Sequence, residues 1–220
     1  MTKTIDPSWR NVYLIHSDMA VRRSLRDIVI DQTNYAVIPF ATEADFLESL
    51  AFLPPGCVLI ERSSQEKGRD TLLQGIAHLR PELPIIAMCN ACDVPTAINL
   101  IKSGASDVID LTSGSANLPE MLEQTFITLP DRVRRADLYR TAKERVAALT
   151  PKELSVLKWI ALGMLSKQIA HEMQLSVRTV EMHRSHILTR MNVRSMGDCI
   201  HLFHLAFQEE AFEDIALGAA

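Results

Sequence analysis

The 220-residue sequence has no apolar run near twenty residues, so no membrane-spanning helix and no membrane partner are expected. Nor does it have an apolar leader core. Met1 to Arg10 is short and polar, which predicts a protein without a secretory signal that stays in the cytoplasm. Cysteines number only four; in that compartment they are expected to be reduced thiols, which excludes a disulfide framework. An excess of positive charge is missing as well, since the net charge is -4. Finally, no nucleophile and base pair stands out, so an enzyme is not expected and no metal or cofactor is called for.

What is present fits two compact domains, with 47% hydrophobic content over ordinary domain lengths. The charge is unevenly divided. Residues 1–129 carry ten basic and sixteen acidic side chains, residues 130–149 six and three, and residues 150–208 seven and four. From residue 209 onward there are none and four. The positive share therefore falls between residues 130 and 208, a candidate surface for an anionic partner.

That segment is Leu149 to Phe207. Thr150 is an N-cap, Pro151 takes the first helical position and Glu153 completes a capping box. Leu154, Leu157, Ile160 and Ala161 repeat at helical spacing until Gly163 ends the run. A second helix is expected over Ser166 to Met173. Ser176 caps a third, with Arg178, Arg184 and Arg190 along it, and a fourth spans about Ser195 to Phe207. Two short helices, a sharp turn and a longer basic helix form the helix-turn-helix plan, in which the third helix enters the major groove. LTPKE, the Gly163 turn, SKQIA and SVRTVEMHRSHILTRM closely resemble the LuxR/NarL/FixJ-type four-helix DNA-binding domain.

The resemblance places Glu181, Met182 and Ser185 at base edges. Glu181 suits a cytosine amino group, Met182 a thymine methyl, and Ser185 is permissive. With His186 they are expected to face the groove, while Val180, Ile187 and Leu188 point inward. Lys167, Ser176, Arg178, Thr179, Arg184 and Arg190 complete the expected interface, the cations and Thr179 as phosphate contacts; His183 fits either role. The last helix has more apolar surface than one small bundle needs, and by resemblance it is the dimer contact.

The first part of the chain alternates apolar runs with amphipathic stretches. Strands are expected at Asn11 to Ile15, Ala36 to Phe40, Cys57 to Glu61, Pro84 to Cys89 and Ser106 to Asp110. Helices are expected near Met19 to Gln32, Thr42 to Phe52, Asp70 to Leu79, Val94 to Ser103 and Ala116 to Ile127. Such alternation predicts an α/β fold with a doubly wound five-stranded parallel sheet. The functional edge of that sheet lies at the strand carboxyl ends.

In order and spacing, this segment is similar to the receiver domains of bacterial response regulators, with a flavodoxin-like strand order. DVP followed by IKSGASDVID particularly resembles the FixJ branch. The resemblance implies a metal-binding acid pair after the first strand, a phosphoryl-accepting aspartate ending the third, a Thr or Ser ending the fourth and a lysine after the fifth. Those positions hold His16 and Ser17, Glu61, Cys89, and Leu111. Every chemical position is changed. Asp18 offers one acid, and the extra methylene of Glu61 displaces its carboxylate by about one bond length from attack geometry. An atypical receiver is expected, with Glu61 either a fixed charge standing in for a phosphate or a solvated remnant.

Cys89 and Cys92 form a lone C-x-x-C, readable as a redox couple, half a metal site or simple packing. Cys57 and Cys199 read as core residues. Residues 128–148 read as a charged helix after Pro130, either a solvated spacer or a source of weak phosphate contacts.

The expected organisation is an arm at 1–10, a receiver-like domain at 11–127, a helical linker at 128–148, an all-α helix-turn-helix domain at 149–208 and a mobile acidic tail at 209–220. The predicted function is a homodimeric regulator of transcription that binds double-stranded DNA independently of aspartyl phosphorylation. Two other readings stand beside it: a receiver that mainly captures a histidine kinase or another regulatory protein or senses redox state or metal, and a conventional phosphorelay acceptor.

Overall fold

A buried parallel strand needs apolar residues on both faces, and five such runs occur here. The computed structural model describes residues 9–62 and 71–207. The first eight residues of the arm, the expected helix start at Asp70 and the acidic tail lie outside the described residues. The chain divides into two units, Met1–Ala136 and Asp137–Ala220.

In the first unit, β1 (Asn11–Ile15), β2 (Ala36–Phe40), β3 (Gly56–Glu61), β4 (Ile85–Cys89) and β5 (Asp107–Asp110) form one sheet. Every pairing is parallel and the order is β2-β1-β3-β4-β5. Pro39 is tolerated because β2 lies at the sheet edge. Alternate residues divide the core between two faces. Val12, Leu14, Leu59, Ile86 and Met88 meet Leu25 and Val29 of α1 (Met19–Gln32) and Leu118, Leu122, Phe126 and Leu129 of α5 (Leu118–Ala147). Tyr13, Ile15, Val58, Ile60 and Ala87 meet Phe46 of α2 (Glu43–Ser49), Leu73 and Ile76 of α3 (Thr71–Leu79) and Leu100 of α4 (Val94–Lys102).

At position 56 only glycine fits. A Cβ there would stand 2.5 Å from the Asn11 carbonyl and 2.8 Å from the Tyr13 ring. The Tyr13 hydroxyl donates to the Pro54 carbonyl at 2.6 Å.

Two expected helices change length. The second stops at Ser49 and tightens into a 3-10 turn over Leu50–Phe52. Pro54 forces the preceding Leu53 into an extended conformation, which the structure shows (φ -67, ψ 133). The fifth does the reverse: the helix expected to end near Ile127 continues through Pro130 to Ala147. Pro130 removes the donor to the Phe126 carbonyl, at a typical cost of about 3 kcal/mol. Leu129, fully buried, and Val133 carry the apolar stripe past it and offset that cost. A helix break after Ile127 would leave both on the wrong side of the core.

In the second unit, α6 (Pro151–Ala161), α7 (Ser166–Glu172), α8 (Val177–Arg190) and α9 (Met196–Ala206) surround one core. Ala142 and Val146 from the end of α5 join Leu157, Ile160, Ile169, Val180, Ile187 and Phe203 in it. Gly163, with φ +81, closes α6 and turns the chain into α7. The surplus apolar surface expected of α9 is largely absorbed: Ile200, Leu202, Leu205 and Phe207 pack against this core as partly buried residues.

Leu129→Ala should lower stability by about 2 to 5 kcal/mol in urea unfolding. A change within about 0.5 kcal/mol, as at an exposed spacer position, would put Leu129 outside the sheet core.

Candidate functional site

Helix α8 begins at Ser176, whose hydroxyl accepts from the Thr179 amide at 3.0 Å. Val180 and Ile187 are buried, and the opposite side carries Arg178, Glu181, Met182 and Ser185, all exposed. These four are spaced three, one and three residues apart, so they share one face of the helix. Lys167 is exposed on α7. The Ser166 hydroxyl donates to Glu181 Oε1 at 2.5 Å, which ties the two helices of the motif together. Arg184 Nε lies 3.7 Å from the other Glu181 oxygen. Glu181 therefore reaches the outer face with one oxygen already engaged.

Arg190 departs from its expected place. Its Nε sits 3.2 Å from Glu153 Oε1, and its Nη1 donates to the Ala148 carbonyl at 3.4 Å. Glu153 is buried on α6, and its Oε2 accepts from the Thr150 amide at 2.9 Å and hydroxyl at 2.8 Å. Burial raises the Glu153 carboxyl, but hydrogen bonds from Thr150, and then Arg190 and His186, outweigh it and hold the group below its usual value. His186 Nδ1 is 3.8 Å from Glu153 Oε1. His183 Nδ1 is buried without a hydrogen-bond partner.

Glu153, His183 and His186 thus offer ligand atoms within 4.8 Å of one another, the one such group among the described residues. Glu153 Oε1 is already paired with the Arg190 cation, so the arrangement works as a clasp between α6 and α8. The capping-box pattern identified Glu153; nothing in the sequence pointed to Arg190 as its partner.

At the strand carboxyl ends, His16 is buried, and its Nδ1 accepts from the Asp18 amide at 3.0 Å. That leaves Nε2 to carry the proton, and it lies 3.1 Å from Glu61 Oε2. Asn90 Nδ2 donates to the other Glu61 oxygen at 3.4 Å. Glu61 is therefore not a solvated remnant: it holds a buried imidazole across the β1/β3 junction. Asp18 Oδ1 caps α1, accepting from Ala20 and Val21 amides, and these bonds, Val21 first, hold its carboxyl below the usual range. Ser17 is exposed, and its carbonyl accepts from Arg22 at 2.8 Å. Leu111 packs onto the core. Asp110 Oδ1 accepts from the Thr112 hydroxyl and amide and from the Ala91 amide.

Cys89 and Cys92 depart from the expected reduced state. Their sulfurs are joined, because the turn between them brings the Cα atoms to 5.7 Å, within disulfide reach. Cys57 and Cys199 are free and buried, as their positions predicted.

The model for bacterial regulatory proteins of the luxR family matches residues 147–203, which contain all of α6, α7, α8 and nearly all of α9. The chain is similar to the transcriptional regulatory protein FixJ of Bradyrhizobium diazoefficiens, at 28% identity over 87% of this chain and 93% of that one. It is 27% identical to the response regulator protein TmoT of Ectopseudomonas mendocina, over 87% and 86%. The solved structure of the response regulator StyR aligns at 25% identity with a TM-score of 0.55, over 88% of this chain and 98% of that one.

Its terminal unit thus matches the luxR-family model, and along most of its length the chain is similar to transcriptional and response regulators.

In the terminal unit, the structure gathers Glu181, Met182 and Ser185, expected in the groove, with Arg178, expected at a phosphate, on one exposed face. It draws Arg190 and His186 toward Glu153. In the receiver-like unit it joins His16 to Glu61 and leaves Asp18 and Asp110 as separate caps. No helix among the described residues is long and apolar enough to cross a membrane.

Substitutions at two positions test these assignments. Because the Glu153 carboxyl is lowered in the folded state, its contribution is fully present above the unfolded value near 4.3 and is lost as pH falls through the folded value. Glu153→Gln should cost about 2 kcal/mol at neutral pH, and the gap to wild type should begin to close as pH falls below about 4.3 in urea titrations. A gap indifferent to pH removes the charge from the clasp. Glu61→Ala, which strands the buried His16 donor, should cost about 1 to 3 kcal/mol, whereas Glu61→Gln keeps an acceptor and most of the stability. Equal losses for both would show that the hydrogen bond is not what Glu61 contributes.

Proposed function

We propose that the regulator binds duplex DNA as a homodimer in the cytoplasm, and that its receiver-like unit works without aspartyl phosphorylation. The observation that carries the second half is the His16 to Glu61 hydrogen bond at 3.1 Å. It occupies the β1/β3 switch point where a metal ion and an acceptor carboxylate would have to meet. Phosphoryl transfer depends on a divalent cation and on positive charge at the equatorial oxygens. Here the carboxylate holds an imidazole, and the residue after β5 is the packed Leu111.

DNA recognition is assigned to α8. Glu181, Met182 and Ser185 reach base edges, while Lys167, Arg178, Thr179 and Arg184 hold phosphates and fix register, with Ser176 at the helix start. His183 and His186 border this surface, and Arg190 serves the clasp more than the phosphates. Similarity to a transcriptional regulatory protein and a response regulator favours this reading over an enzyme. Dimerisation through α9 fits two copies on an inverted repeat.

A second reading, capture of a histidine kinase or another regulatory protein, is favoured by α4. There Val94, Ile98 and Ile101 are 72%, 48% and 46% exposed along one face. Genome-wide occupancy with no stable protein partner supports the first reading; a stable partner without occupancy supports the second.

Incubation with acetyl phosphate and magnesium should leave the intact mass unchanged, and a stable phosphoryl adduct would overturn the phosphorylation-independent reading. Lys167→Ala should weaken binding to all duplexes and reduce the slope of log affinity against log salt by about one. An unchanged slope removes Lys167 from the footprint.

A further inference from the structure

The four cysteines fall into two unlike pairs. Cys57 and Cys199 are wholly buried, and burial pushes both thiols up, that of Cys199 to about 11. Thiols in such surroundings are inert. Cys89 closes β4 with no exposed surface, but Cys92, three residues on, is only half-buried and sits beside Asp93, the N-cap of α4. Their sulfurs are bonded, across a turn in which Ala91 takes a left-handed φ of +55 and its amide is held by Asp110 Oδ1 at 3.1 Å.

A structural staple is a poor account of this bond. Closing so short a loop removes little entropy from the unfolded chain, and Cys89 is already fixed by pairing with Asp110 of β5. A protein that acts on DNA also works where thiols are kept reduced, and disulfides found there are mostly exchangeable ones.

We propose that Cys89 and Cys92 form a reversible dithiol–disulfide site, entered through Cys92 by small disulfides of the glutathione class, and that its state sets the start of α4. In oxidation the Cys92 thiolate attacks one sulfur of glutathione disulfide, forming a mixed disulfide and releasing one glutathione thiolate. The Cys89 thiolate then attacks the Cys92 sulfur and releases the second. Two electrons pass from the protein dithiol to glutathione disulfide, and the two thiol protons end on two glutathione molecules. Reduction runs in reverse, with a glutathione thiolate attacking the accessible Cys92 sulfur and Cys89 leaving.

The opened loop no longer holds Ala91 in a conformation disfavoured for a residue with a Cβ. Its relaxation loosens the Asp93 cap, whose Oδ1 accepts from the Thr96 amide at 2.9 Å. The first turn of α4, with exposed Val94, then frays.

That Cys89 and Cys92 meet reducing surroundings rests on the proposed DNA-binding function, but the readouts involve neither DNA nor phosphate, so failure of one is distinguishable from failure of the other. The full-length protein is equilibrated without oxygen across glutathione to glutathione disulfide ratios, quenched in acid, unfolded, alkylated and weighed. One reversible step between two and four alkyl groups is expected. Four at every ratio means that no bond forms, two at every ratio means a fixed staple, and either overturns the proposal.

Cys89→Ala should accumulate a glutathione adduct on Cys92, while Cys92→Ala should take none on Cys89; equal adducts in both, or none in either, overturn the entry through Cys92. Hydrogen exchange on the wild-type protein should be about tenfold faster in the reduced form for amides of residues 91–97. Equal rates in the two forms overturn the coupling to α4.

Discussion

Parallel pairing forces every strand of a sheet to end on the same edge, and the receiver-like unit is arranged around that constraint. His16, Glu61, Cys89 and Asp110 come from strands far apart in the chain and meet there because the register leaves them no other place. The core that pays for this arrangement lies below the edge, in two layers of apolar residues on the sheet faces. Substitution at the edge therefore leaves the fold intact and changes only its chemistry. The edge carries a histidine hydrogen-bonded to a carboxylate, a sulfur pair and an aspartate that caps a turn.

Much of the fold was legible because its signals are local. The five strands are apolar runs bounded by Pro, Gly or polar clusters, and three of the four helices of the terminal unit carry Thr150, Ser176 and Ser195 as caps. The length of α5 was not legible. Pro130 and the charges that follow look like a boundary when taken alone, and only the three-dimensional core shows that Leu129 and Val133 continue the stripe.

The candidate site divides in the same way. The outward face of α8 follows from helical spacing, and the alteration of the strand-end positions follows from residue identity. The bond between His16 and Glu61 does not, since it depends on how two side chains from adjacent strands orient across a gap. Arg190 was placed among phosphate contacts because a cation on a recognition helix ordinarily serves that purpose; the buried Glu153 that attracts it lies in a different helix. The C-x-x-C spacing announced proximity of Cys89 and Cys92, but their joining depends on Ala91 adopting a positive φ that its residue type does not advertise.

The clasp between α6 and α8 has a further effect. A helix anchored at its far end by a buried carboxylate is already ordered before any duplex arrives, so its conformational entropy is given up during folding and not during association. On the proposed reading of α8, groove recognition begins from a rigid template, and differences among operators are expressed in the contacts made at the exposed face, free of a shared ordering cost.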